Sequence, residues 1–144
     1  MSDIKRIGGV IVSHGQVATE LVSAAEAVVG DISNIAAVSI GWHDDVEVAK
    51  GEIERAIRQV SDGAGVLLLT DMFGGTPTNI SAMFLKDGEI EIVTGVNLPM
   101  VIKLATIGKE IPLADFAAEI EEQGKQAITR AGELLAPQKL KKDA

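Results

Sequence analysis

The sequence predicts an α/β fold: a doubly wound, mainly parallel sheet of strand order 2-1-3-4, with helices on both faces and a C-terminal helix. Three observations predict it. Short β-like runs alternate with helical patterns in the order β-α-β-α-β-α-β-α-α. The connections between them are short, as in right-handed crossovers. Finally, the first and third runs carry the unbroken apolar stretches "VIV" and "VLLL", as expected of strands buried on both faces.

Each element has its own signal. The first strand is read over Ile7–Ser13. A helix follows, with Val17, Leu21, Ala25 and Val28 at three- and four-residue spacing. The second strand is Ile35–Ile40, and the next helix repeats through Val46, Ala49, Ile53, Ile57 and Val60. Glu54 and Arg58 form an i,i+4 pair on its polar side. The third strand is Gly65–Thr70, and its helix starts at Pro77 and runs to about Lys86. The fourth strand, Ile90–Thr94, alternates in polarity, which fits an edge. A helix begins near Pro99. From Pro112 to about Leu135 the pattern reads as one long helix, with Phe116, Ile120, Ala127, Ala131 and Leu134 on one face and Gly124 as a break or kink. One domain covers 1–136, and 137–144, containing "KLKK", is a flexible basic tail.

Composition narrows the function. At 144 residues and 47% hydrophobic content, the chain is long enough for a real core and is not of a disordered type. It has no cysteine, which excludes disulfides, thiolate metal sites and a cysteine nucleophile. A net charge of −8 argues against nucleic acid, because phosphate backbones require clustered Lys and Arg. Aromatic residues are 3%, too few for stacking platforms. No apolar run approaches the roughly 20 residues that span a bilayer, and no signal-peptide segment precedes the first strand. The expectation is a cytoplasmic protein that does not enter the membrane.

In open parallel sheets, ligands bind beyond the carboxyl ends of the strands. Those ends read "SHG", "GWHDD", "TDMFGGTPTN" and "GVNLPM". His14 stands at the first, flanked by the Ser13 hydroxyl and by Gly15, which lets a backbone approach closely. It is either a locally bonded histidine or a reactive one. In the third, Gly74 and Gly75 are able to take positive φ. Thr76 is placed as N-cap and Pro77 in the first turn. A glycine-rich loop running into a helix start is an anion site in physical terms, and equally an ordinary well-capped turn. It is neither a Walker loop nor a dinucleotide fingerprint. Asp71 closes the third strand, beside the first in this topology. An aspartate accepting from one imidazole nitrogen fixes the tautomer and leaves the other as nucleophile; capping the turn is its alternative task. His43, Asp44 and Asp45 read as the acidic start of the following helix. Metal ligation with His14 and Asp71 is the weaker alternative, because the spacing of known zinc motifs is absent.

The arrangement "VIVSHG", "GVLLLTDMFGGTP-N" and "GVNLPM" resembles the mannose-type enzyme IIA components of the bacterial phosphoenolpyruvate:sugar phosphotransferase system, from about Ile7 to Leu135. The resemblance implies that His14 carries a phosphoryl group and that Asp71 orients it. Ser13, Gly15, Phe73, Gly74, Gly75 and Thr76 would line the phosphoryl site, and Asn97 to Met100 would lie near that pocket or at a dimer contact. It implies no metal and no cofactor. The donor would be phosphorylated histidine phosphocarrier protein (HPr), the acceptor a IIB protein, and the active form a homodimer. The chain resembles a freestanding IIA subunit, and "GWHDD" resembles members with a regulatory role more than dedicated sugar-uptake members. Two other readings stand beside this one. One is a regulatory module whose phosphorylation state a partner reads; the other is a metal-dependent hydrolase using His14, His43, Asp45 and Asp71.

Overall fold

A computed structural model describes residues 4–41 and 44–135. The elements are β1 (Gly8–His14), α1 (Val17–Val29), β2 (Ile35–Ile40), α2 (Val46–Val60), β3 (Val66–Thr70), α3 (Gly75–Ala82), β4 (Ile90–Thr94), α4 (Leu98–Ala105) and α5 (Leu113–Gln126). The four strands form one parallel sheet in the order β2-β1-β3-β4, as the apolar pattern predicts. Alternate residues of β1 and β3 feed opposite cores. Ile11, Leu67 and Leu69 pack with Ala18, Ala25, Val101, Leu104, Phe116 and Ile120 under α1, α4 and α5. Val10, Val12, Val66 and Leu68 pack with Ala49, Ile53, Ala56, Val60 and Ile80 under α2 and α3. Among the described residues, no helix is long and apolar enough to cross a membrane.

Two glycines set how closely the layers approach at the start of β1. A Cβ on Gly8 would run into the Val60 carbonyl, and one on Gly9 into the Leu104 side chain. Gly8→Ala presses on backbone, which cannot rotate away. It is therefore expected to cost about 3 kcal/mol, the upper end for overpacked sites, and to lower Tm by roughly 10 °C. Thermal unfolding of the variant checks this, and an unchanged midpoint would show that α2 shifts freely.

The structure corrects several boundaries. β1 includes His14, which pairs in register with Ile40. β3 starts at Val66, because Gly65 lies in the left-handed region at φ 101°. On α1 the packed face is Ala18, Leu21, Val22 and Ala25, while Val17 and Val28 are exposed. Helix α3 starts at Gly75 rather than Pro77 and ends at Ala82 rather than near Lys86. Its N-cap is Gly74, with no side-chain cap; Thr76 lies inside the first turn instead. Lys86 is drawn into an isolated antiparallel bridge with Ile90. The long C-terminal helix is divided. α5 stops at Gln126, and 131–135 form a separate helical turn. The break follows Gly124 and falls at Ile128 and Thr129, adjacent β-branched residues that lose rotamer freedom in a helix. Gly124 has a packing task instead: a Cβ there would meet Met100 Sδ at 2.5 Å. The 137–144 tail lies outside the described residues.

Candidate functional site

Because β1 and β3 are neighbours with Val12 opposite Thr70, their carboxyl ends open side by side. The chain leaves β3 at Asp71, whose Oδ2 accepts two hydrogen bonds from a single residue. One comes from the His14 backbone N–H, at 2.9 Å. The other comes from His14 Nδ1, at 2.8 Å. A carboxylate accepts only, so the proton of the neutral ring sits on Nδ1 and Nε2 carries the lone pair. The double contact fixes both the backbone and the ring. Asp71 is mostly covered, with 16% of its side chain exposed, against 48% for His14. Its other oxygen, Oδ1, is buried with no hydrogen-bond partner among the described residues.

Nε2 lies against the start of α3. The Cβ position of Gly75 is 3.2 Å from both Nε2 and Cε1 of His14. Gly74 and Gly75 take φ of 88° and 82°, a region that side chains disfavour. The turn thus favours glycine at both positions, and at Gly75 a Cβ would also crowd the imidazole. Phe73 is 83% exposed and Met72 is exposed beside it. Thr76 is exposed as well. Gly15 has φ 52°, and among the described residues nothing lies within 4 Å of the position its Cβ would take.

Ser13 has a different task from the one expected of it. Strand alternation turns its side chain away from His14. It is fully buried, and its Oγ accepts from the Ala18 N–H at 2.7 Å. It thus supplies the cap that Gln16, at the N-cap position of α1, does not provide. "NLPM" is also structural in part. Asn97 accepts from the Met100 N–H and donates to the Gly124 carbonyl, tying α4 to α5. The same residues, with Phe73, Lys125 and Ile128, line a groove of about 490 Å³ beside the site loop.

The acidic pair after β2 serves the backbone. Asp45 caps α2 by accepting from Glu47 N–H at 2.9 Å, and Asp44 accepts from Gly41 N–H at 2.6 Å. His43 lies outside the described residues. Among the described residues, no group of three or more His, Asp or Glu side chains is arranged to hold a metal ion.

One feature escaped the sequence reading. Thr78 donates to the Met72 carbonyl at 2.7 Å and shares a hydrogen bond with Thr70 at 2.8 Å. Two threonines eight positions apart carry no sequence signal for such a contact.

The chain that carries this site has counterparts among known proteins. The family described as "PTS system fructose IIA component" (EIIA-man) matches residues 8–121. The chain belongs to this EIIA family. It is therefore a protein of the phosphotransferase system. The fructose-specific EIIA component of Bacillus subtilis (strain 168) is 25% identical over 130 residues, covering 90% of this chain and 89% of that protein. The mannose-specific EIIAB component of Escherichia coli (strain K12) is 32% identical over 129 residues, covering 83% of this chain. This EIIA chain spans only 38% of that longer protein. Among solved structures, a mannose/sorbose specific IIA subunit from Enterococcus faecalis superimposes with TM-score 0.77 at 26% identity, covering 86% of this chain and 93% of that one.

Proposed function

We propose that this protein is a phosphocarrier that accepts a phosphoryl group from phospho-HPr on Nε2 of His14 and passes it to a IIB protein. One observation carries the reading: Nδ1 is held by Asp71 while Nε2 is presented to the uncapped start of α3 and to solvent. The lone pair of Nε2 attacks the donor's phosphorus. The P–N bond to the donor imidazole breaks, and the donor ring keeps that electron pair. The positive charge that develops on the His14 ring faces the Asp71 carboxylate. The transferred oxygens meet the first amides of α3, where a helix start favours anions. Gly74, Gly75, Phe73 and Thr76 form that side of the cradle, and Gly15 leaves the approach open. Positioning and charge compensation are what phosphoryl transfer demands of a protein. Donor and acceptor are both phosphohistidines, so the step is reversible, and passage to IIB is the same displacement with His14 as leaving group.

Exposed Met72 and Phe73, on the loop after Asp71, and Val17, at the start of α1, offer apolar side chains of the kind a docking protein covers. The test is to mix the protein with enzyme I, HPr and labelled phosphoenolpyruvate, and to look for an acid-labile, alkali-stable label on His14. We place the protein in the cytoplasm as a homodimer. Light scattering is then expected to read twice the 15.1 kDa chain mass, and a monomer at working concentration would remove the dimer from the scheme.

A further inference from the structure

We infer that Thr78, latched to Thr70, is a positioning residue that holds the Asp71–Gly75 loop in the geometry needed for transfer; this rests on the phosphocarrier reading above. Asp71 is tied to His14, and past it the loop offers few side chains to pack. Met72 and Phe73 are exposed, and Gly74 and Gly75 bring no side chains. Its start is anchored by β3, where Thr70 is fully buried and its carbonyl accepts from Val96 N–H at 2.9 Å. Its far end is the first turns of α3. The Thr78 hydroxyl joins the two ends, reaching back from α3 to the Met72 carbonyl at 2.7 Å and to Thr70 Oγ1 at 2.8 Å. Thr70 Oγ1 itself lies 3.5 Å from the same carbonyl.

The latch encloses the two groups that matter to His14. Asp71, between Thr70 and Met72, holds Nδ1. Gly75, three residues before Thr78, lies against Nε2. Slack in the loop therefore shifts the anion cradle relative to Nε2 and loosens the Nδ1 contact, while the His14 backbone N–H keeps its hold on Oδ2. Misplacement on the order of 1 Å is enough to cost about 100-fold in rate. Thr78 makes no hydrogen bond to His14, so its effect is exerted through the loop.

Thr78→Val keeps the shape and removes the hydroxyl, whereas Thr78→Ser keeps the hydroxyl. Two readouts separate positioning from mere stability. In the labelling reaction, Thr78→Val is expected to lower kcat by roughly 10- to 100-fold with KM for phospho-HPr nearly unchanged, and Thr78→Ser to restore the rate. In ring-nitrogen NMR, simplified by there being only 2 histidines, His14 is expected to be protonated on Nδ1 in the native protein and in Thr78→Ser. In Thr78→Val it is expected to be a mixture of tautomers. Thr78→Ala, a good helix former at this helical position, serves as the second variant if Thr78→Val folds poorly. A native kcat and a native tautomer in the hydroxyl-less variant would overturn the inference. If the native protein takes no label, the phosphocarrier reading fails, while the tautomer measurement still decides the latch.

Discussion

His14→Ala is expected to reduce phosphoryl labelling to background while leaving the fold intact. The structure separates the two effects. The His14 ring is half exposed, and its one hydrogen-bond partner among the described residues is Asp71 Oδ2. That oxygen also accepts from the His14 backbone N–H, a bond that alanine keeps. Asp71 therefore stays anchored in the variant, and the loop after β3 keeps its place. The stability change should be within about 1 kcal/mol, as for most replacements of exposed side chains. Labelling, by contrast, loses its nucleophile outright, and no geometry of the remaining site replaces it. Matched circular dichroism and thermal midpoints, set beside acid-labile label counts, provide the measurement. Undiminished labelling of this variant would sink the assignment. With 2 histidines in the chain, it would direct attention to His43.

Asp71→Asn is expected to slow transfer on the order of 10²- to 10³-fold, the range for removing one electrostatic stabiliser. The cause is charge more than tautomer. The His14 backbone N–H is a donor in every protonation state, so it holds the amide oxygen of asparagine where Oδ2 now lies. That same oxygen still accepts from Nδ1. The amide NH₂ takes the place of Oδ1, which is already buried without a partner among the described residues. One unsatisfied buried group thus replaces another, and the neutral one is the less costly to bury. The fold should survive. What is lost is the negative charge facing the phosphorylated, positively charged ring. Rapid-quench labelling with phospho-HPr resolves the rate. A native rate in Asp71→Asn would remove Asp71 from the mechanism and leave it a purely structural anchor.

The sequence carried the sheet because burial on two faces leaves a direct mark. "VIV" and "VLLL" were legible as central strands, and the alternating Ile90–Thr94 was legible as an edge. Central β1 and β3 in turn put His14 and Asp71 at neighbouring ends. Helix ends were less legible. Pro77 is a strong start signal, yet α3 begins two residues earlier, because positive-φ glycines allow the chain to turn directly into it. Gly124 carried the signature of a break. The structure uses it for close packing on Met100, a demand that comes from another helix and leaves no trace in local spacing.

The sequence by itself therefore determined the α/β class, the strand order, and the residue types gathered at the carboxyl edge, since periodicity and apolar runs encode which faces are buried. Only the tertiary structure decided what each polar atom at that edge does. It turned Ser13 inward to cap α1, gave one oxygen of Asp71 both donors of His14, and set Gly75 against Nε2. It also joined Thr78 to Thr70 across the loop. The physical reason is range. Burial patterns repeat along a chain and survive small shifts, whereas a hydrogen bond requires two atoms within about 3 Å at a fixed angle. That is set by strand register and helix placement, not by neighbours in sequence.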